Sequence, residues 1–101
     1  MSDPGVGRSL SELRAEIEVV DAQLIDLVAR RMRLVREVGQ VKRATGQPVT
    51  DPAREAAVVA RASALARDAG LPEDEVRALY WRVMAMARRV QSGNHGQEGA
   101  G

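Results

Sequence analysis

Two cations lie within the apolar face of what the spacing predicts to be a long helix. From Leu13 the stripe runs Leu13, Ile17, Val20, Leu24, Leu27, Leu34, Val38 and Val41, in steps of four and three. The position missing from that series is Arg31, and at about 100° per residue Lys42 falls within a few tens of degrees of the stripe's centre. Burying an unpaired charge costs several kcal/mol, so both cations need an anion: a carboxylate of the protein or a ligand. Roughly 16 Å of helix separates them, a spacing from which two extended side chains can converge on one small anion. Arg14 borders the same face but lies roughly 25 Å before Arg31, too far to share a pocket with Lys42 of its own chain. In an antiparallel dimer the partner subunit's Arg14 would meet Arg31 and Lys42.

Other polar residues fall beside apolar stripes. Glu55 extends the pattern Val58, Ala62, Leu65, Ala69 backwards by one turn, with Arg54 next to it, and Gln91 follows Ala87 by four residues. Together these line a small cavity with cations, one carboxylate and one amide donor. Such a set can hold and polarise a substrate. It offers no nucleophile with a base: there is no cysteine, the one histidine is His95 in a Gly-rich tail, and no metal-ligand spacing is recognisable.

Each residue also has a structural reading. Arg31 in a heptad seam is satisfied by an interface ion pair with Glu16 or Asp21. Lys42, near a helix end, can snorkel out of the core. Arg14 reads as a surface residue, and Asp51 is accounted for as a helix cap. Glu55 can pair with neighbours of Arg54, Gln91 can be a solvated helix end, and Tyr80 and Trp81 are simplest as packing residues. Spacing alone does not choose between the two sets of roles.

Three helices and no strand must position these residues, so the expected fold is all-α. Helix one starts at Ser9 or Ser11 as a cap and runs to about Thr45, with Gly46 as its stop and Gly39 as its one internal glycine. Helix two begins at the cap Asp51 with Pro52 in its first position and ends at Gly70. Helix three opens at Pro72 with Glu73, Asp74 and Glu75 at the positive end of its dipole, carries Val76, Leu79, Val83, Ala87 and Val90, and closes with Arg88 and Arg89. Residues 1–8 and 92–101 read as disordered tails around a helical domain over 9–91.

With 101 residues, 45% of them hydrophobic and no Phe, the chain builds one small core of Leu, Val, Ile, Met and Ala. A net charge of +1 gives a nucleic-acid partner no electrostatic support. Residues 1–9 carry no signal-like apolar run and no stretch is long enough to span a membrane, so a soluble cytoplasmic protein is expected. A first helix of about 50 Å exceeds the roughly 25–30 Å diameter of a monomer this size. Its heptad face would be left in water, which implies at least a dimer with the long helices packed along each other.

Several runs then resemble the all-helical, type II chorismate mutases. They are Leu13-Arg14-Ala15-Glu16-Ile17 with Val20-Asp21, Leu27-Val28-Ala29-Arg30-Arg31, Val38-Gly39-Gln40-Val41-Lys42, and Pro48-Val49-Thr50-Asp51-Pro52-Ala53-Arg54-Glu55. The resemblance covers about residues 10–91 without an obvious insertion or deletion. It implies an intertwined homodimer of three-helix chains with two sites, each completed by the partner's first helix. It also implies the cofactor-free Claisen rearrangement of chorismate to prephenate, in the shikimate pathway of aromatic amino-acid biosynthesis. By motif, Arg31 and the partner subunit's Arg14 would clamp the substrate carboxylates, and Lys42 and Gln91 would donate to the ether oxygen. Arg54 would add cationic stabilisation, and Glu55 with the backbone of Asp51 would receive the ring hydroxyl. An amide donates at any pH, so Gln91 implies activity at neutral pH.

One departure is plain. Ala87 stands where many members carry a small hydroxyl residue, so one carboxylate contact is lost or supplied by another donor such as Arg88. Relatives on the same scaffold act as 4-amino-4-deoxychorismate mutases or isochorismate–pyruvate lyases, and in parts of the family a partner enzyme activates the short form. A reading of another class is a non-catalytic helical dimerisation module, in which Arg31 and Lys42 form structural ion pairs.

Overall fold

The computed structural model describes residues 7–93. Most of the two expected tails, His95 included, lies outside the described residues. Among them there are three helices and no strand: α1 Leu10–Ala44, α2 Pro52–Asp68 and α3 Glu73–Gln91. The chain divides into two units, Met1–Arg31 and Met32–Gly101.

In the first unit, α1 is opened by Ser9 and not by Ser11. The Ser9 hydroxyl accepts from the Glu12 amide at 3.0 Å, and the Glu12 carboxylate accepts from the Ser9 amide at 2.8 Å. This reciprocal cap satisfies two backbone donors that a helix start leaves open. The Ser9 amide holds the Glu12 carboxyl below its ordinary range. A carboxylate depressed in the folded state contributes stability at neutral pH that is lost as the pH falls through its folded pKa. Arg8 pairs with Glu16 and lowers that carboxyl in the same way. Glu16 thus has a cation of its own in this unit. Every stripe residue of this unit is exposed, from 40% at Leu13 to 59% at Leu27.

The second unit holds the rest of α1 with α2 and α3. Leu34, Val38 and Val41 of the stripe stay exposed here too, while Met32 and Gly39 are the buried residues of α1. By helical arithmetic those two lie about 100–120° round from the centre of the stripe. The face of α1 that the unit buries is therefore not the face marked by the heptad pattern. α1 ends as expected: Gly46 takes φ +72°, and the Gln47 and Gly46 amides bond back to the carbonyls of Lys42 (2.8 Å) and Arg43 (3.4 Å). That is the left-handed glycine cap, which an L side chain would strain.

Two expectations about faces need correction. The stripe read for α2 was Val58, Ala62, Leu65 and Ala69, whereas the buried residues are Val59, Ala62, Ser63 and Ala66, and Leu65 is 54% exposed. The contact with α3 uses small side chains, which allow close approach, and it includes a serine that an apolar pattern passes over. Ser63 is tolerated because it is satisfied: its hydroxyl donates to Glu73 at 3.2 Å and accepts from Arg77 at 2.8 Å. In α3, Ala87 and Val90 are buried as expected, but Met84 replaces Leu79, which is 58% exposed. The helix also begins at Glu73, with Pro72 as its cap residue.

Candidate active site

The last turn of α3 is where polar residues of the second unit converge. Ala87 is buried on this turn and Gln91 is half-buried. Gln91 packs against Gly39 of α1 so closely that a β-carbon at 39 would lie 2.6 Å from the Gln91 carbonyl oxygen and 3.0 Å from its Cγ. The same carbonyl accepts from the Arg43 guanidinium at 2.6 Å. Lys42 belongs to the adjacent stretch of α1, three residues and about 4.5 Å along the axis from Gly39. The ammonium of Lys42 is half-buried and donates to the Val49 carbonyl at 3.2 Å. The cap at Gly46 turns the chain back so that this carbonyl reaches Lys42.

From the other side of the turn, Arg88 reaches the first turn of α2, where its guanidinium donates to the Glu55 carboxylate at 2.5 Å. Glu55 is the more enclosed partner, its side chain 17% exposed against 45% for Arg88. α2 is placed by Asp51, whose side chain accepts from the Arg54 amide at 3.1 Å, so Asp51 does act as the cap. Arg54 is exposed.

Gly39 of α1, three residues before Lys42, thus rests on Gln91, and Arg88 ties the last turn of α3 to Glu55 in the first turn of α2, with Ala87 buried on that last turn. The charges are three cations, Lys42, Arg43 and Arg88, with one carboxylate, Glu55, and a neutral amide. Lys42 has no carboxylate partner among the described residues. Its one bond among them is to a carbonyl. Glu55 does have an ion-pair partner, in Arg88 and not in a neighbour of Arg54. Gln91 is half-buried, with its backbone carbonyl and Cγ against Gly39.

Arg14 and Arg31 belong to the first unit. Arg14 is exposed beside the uncovered stripe, whereas Arg31 is half-buried and takes part in an interaction of its own. Two residues next to the site escaped the sequence reading, Gly39 and Arg43. A lone glycine inside a 35-residue helix was the available signal, since glycine there costs about 1 kcal/mol against alanine and marks a close approach when it is kept.

The profile of the family described as "Chorismate mutase type II" matches residues 13–92. A T-protein of Enterobacter agglomerans is 43% identical over 75 residues, covering 74% of this chain and 20% of that protein. The chain thus spans about one fifth of the length of the curated T-proteins it matches. A 4-amino-4-deoxychorismate mutase of Streptomyces venezuelae is 35% identical over 82 residues, 81% of this chain and 80% of that protein. A chorismate mutase of Methanocaldococcus jannaschii is 31% identical over 65 residues, 64% of this chain and 66% of that protein. Among the described residues no helix is long and apolar enough to cross a membrane.

Proposed function

The chain belongs to the chorismate mutase type II family, and from that premise we propose that it is an isomerase that rearranges chorismate to prephenate. The reaction is unimolecular: the ether C–O bond breaks as a C–C bond forms, and negative charge grows on the ether oxygen. Catalysis then needs a compact conformer held in place and donors aimed where charge develops, because only interactions stronger in the transition state raise the rate. The observation that carries this reading is the placement of Gln91, whose backbone carbonyl and Cγ rest on Gly39 of α1, three residues from Lys42, whose ammonium has no carboxylate partner among the described residues. Lys42 and Gln91 donate to the ether oxygen. Arg31 and the partner subunit's Arg14 hold the substrate carboxylates, and Arg54 adds positive potential. Glu55, with the backbone of Asp51, accepts from the ring substituent.

The partner is a second copy of the chain. Eight stripe residues of α1 remain 40–59% exposed, and apolar residues left in water at helical spacing support an interface. Pairing these faces as an intertwined homodimer brings the partner subunit's Arg14 to each site.

The relatives named for 4-amino-4-deoxychorismate favour a second substrate, an amine in place of the ring hydroxyl. The Arg88–Glu55 pair weighs against it. A guanidinium on the accepting carboxylate neutralises it and sets a like charge beside any ring ammonium, whereas a neutral hydroxyl meets no such repulsion. The test is the ratio of kcat/KM for chorismate and 4-amino-4-deoxychorismate. The expected result is a preference for chorismate of about tenfold or more, the scale of one unfavourable charge contact. A preference for the amine would reassign the substrate, and turnover of neither would remove the mutase reading.

A further inference from the structure

We infer that Gly39 and Arg43 are positioning residues for Gln91, acting together on the backbone of the residue that presents the amide donor. This rests on the mutase reading above and deepens it. Two separate observations meet on one residue. The first is space: a β-carbon at Gly39 would sit 2.6 Å from the Gln91 carbonyl oxygen, closer than real side chains approach, and the obstacle is backbone with no flexible tip to give way. Gly39 is buried and lies in the middle of a helix, where no turn or positive φ calls for glycine. What it permits is the contact itself, α3's last residue resting directly on α1.

The second is the bond from Arg43 to that same carbonyl at 2.6 Å. Gln91 is the final residue of α3, where backbone carbonyls have no partner within the helix and the negative end of the dipole gathers. A guanidinium there satisfies the orphan carbonyl and keeps the helix end from fraying. Its bond crosses from α1 to α3, so it fixes the last turn of α3 relative to the helix that carries Lys42. A donor that must meet an oxygen only as charge develops is sensitive to small displacements, and an ångström can change a rate by up to about a hundredfold. Neither residue touches the reacting atoms in this account; both act by where they put Gln91.

The experiment is a double-mutant cycle on the full chain with chorismate as substrate. Arg43→Ala should lower kcat about tenfold while leaving KM within about twofold, as expected when a transition-state contact alone is loosened. Arg43→Lys should recover much of the loss. In a Gln91→Ala background, Arg43→Ala should add almost nothing, because the residue it positions is gone. Gly39→Ala should lower kcat further than Arg43→Ala, and if that variant does not fold the Arg43 cycle still decides. Equal losses from Arg43→Ala with and without Gln91, or a change in KM alone, would overturn the inference while leaving the mutase reading in place. An inactive wild-type protein would overturn both.

Discussion

Lys42→Ala is expected to lower kcat for chorismate by about 10²–10³, the usual consequence of removing one donor to a developing oxyanion. The fold should survive. Lys42 is half-buried and its contact is one bond to the Val49 carbonyl, worth about 1 kcal/mol net, so the melting temperature should fall by only a few degrees. A dimerisation module with Lys42 in a buried ion pair gives the opposite pattern, a loss of about 3–5 kcal/mol because a carboxylate is left uncompensated. Thermal unfolding and steady-state kinetics on the same sample separate the two. A stable, fully active variant would remove Lys42 from the site, and a badly destabilised one would restore the structural reading.

The second large effect concerns two dead proteins that make a live one. Arg14→Ala and Lys42→Ala should each be nearly inactive as homodimers. When the two are co-expressed with different tags and the mixed dimer is isolated, about half of the wild-type activity should return, because one of its two sites then has both residues intact. The logic depends on Arg14 serving the other chain's site. If Arg14 served its own chain, each site of the mixed dimer would carry one lesion and activity would stay at the background. If the two tags fail to copurify, the exposed stripe of α1 is not a homodimer face.

Much of this was legible in the sequence because it depends on local rules. Asp51 followed by Pro52 announces the start of α2, and Gly46 announces the end of α1, since caps are set by a few neighbouring residues. The heptad of α1 identified a surface with something to cover, and it stays uncovered within the chain. What periodicity could not give was which apolar face the chain keeps for itself. α2 turns towards α3 through Ala62, Ser63 and Ala66 and leaves Leu65 outside, because a close contact between helices favours small residues and a serine whose partners are ten and fourteen residues away.

The site was legible in a similar, partial way. Lys42, Glu55 and Gln91 stood out as polar residues beside apolar stripes, and they do sit at packed helix ends. Arg88, the candidate to replace the donor missing at Ala87, pairs with Glu55. Gly39 and Arg43 were missed because their importance lies in a contact 48 or more residues away along the chain. Spacing along one helix does not reveal such a contact.

The measurement that bears most directly on the account is the fate of chorismate at neutral pH, followed by the loss of its ultraviolet absorbance, with the product identified by acid conversion to phenylpyruvate. The expected result is stoichiometric prephenate with no added cofactor, and a rate that does not rise on acidification, because the Gln91 amide donates without first taking up a proton. Unchanged chorismate, or a product other than prephenate, would contradict it.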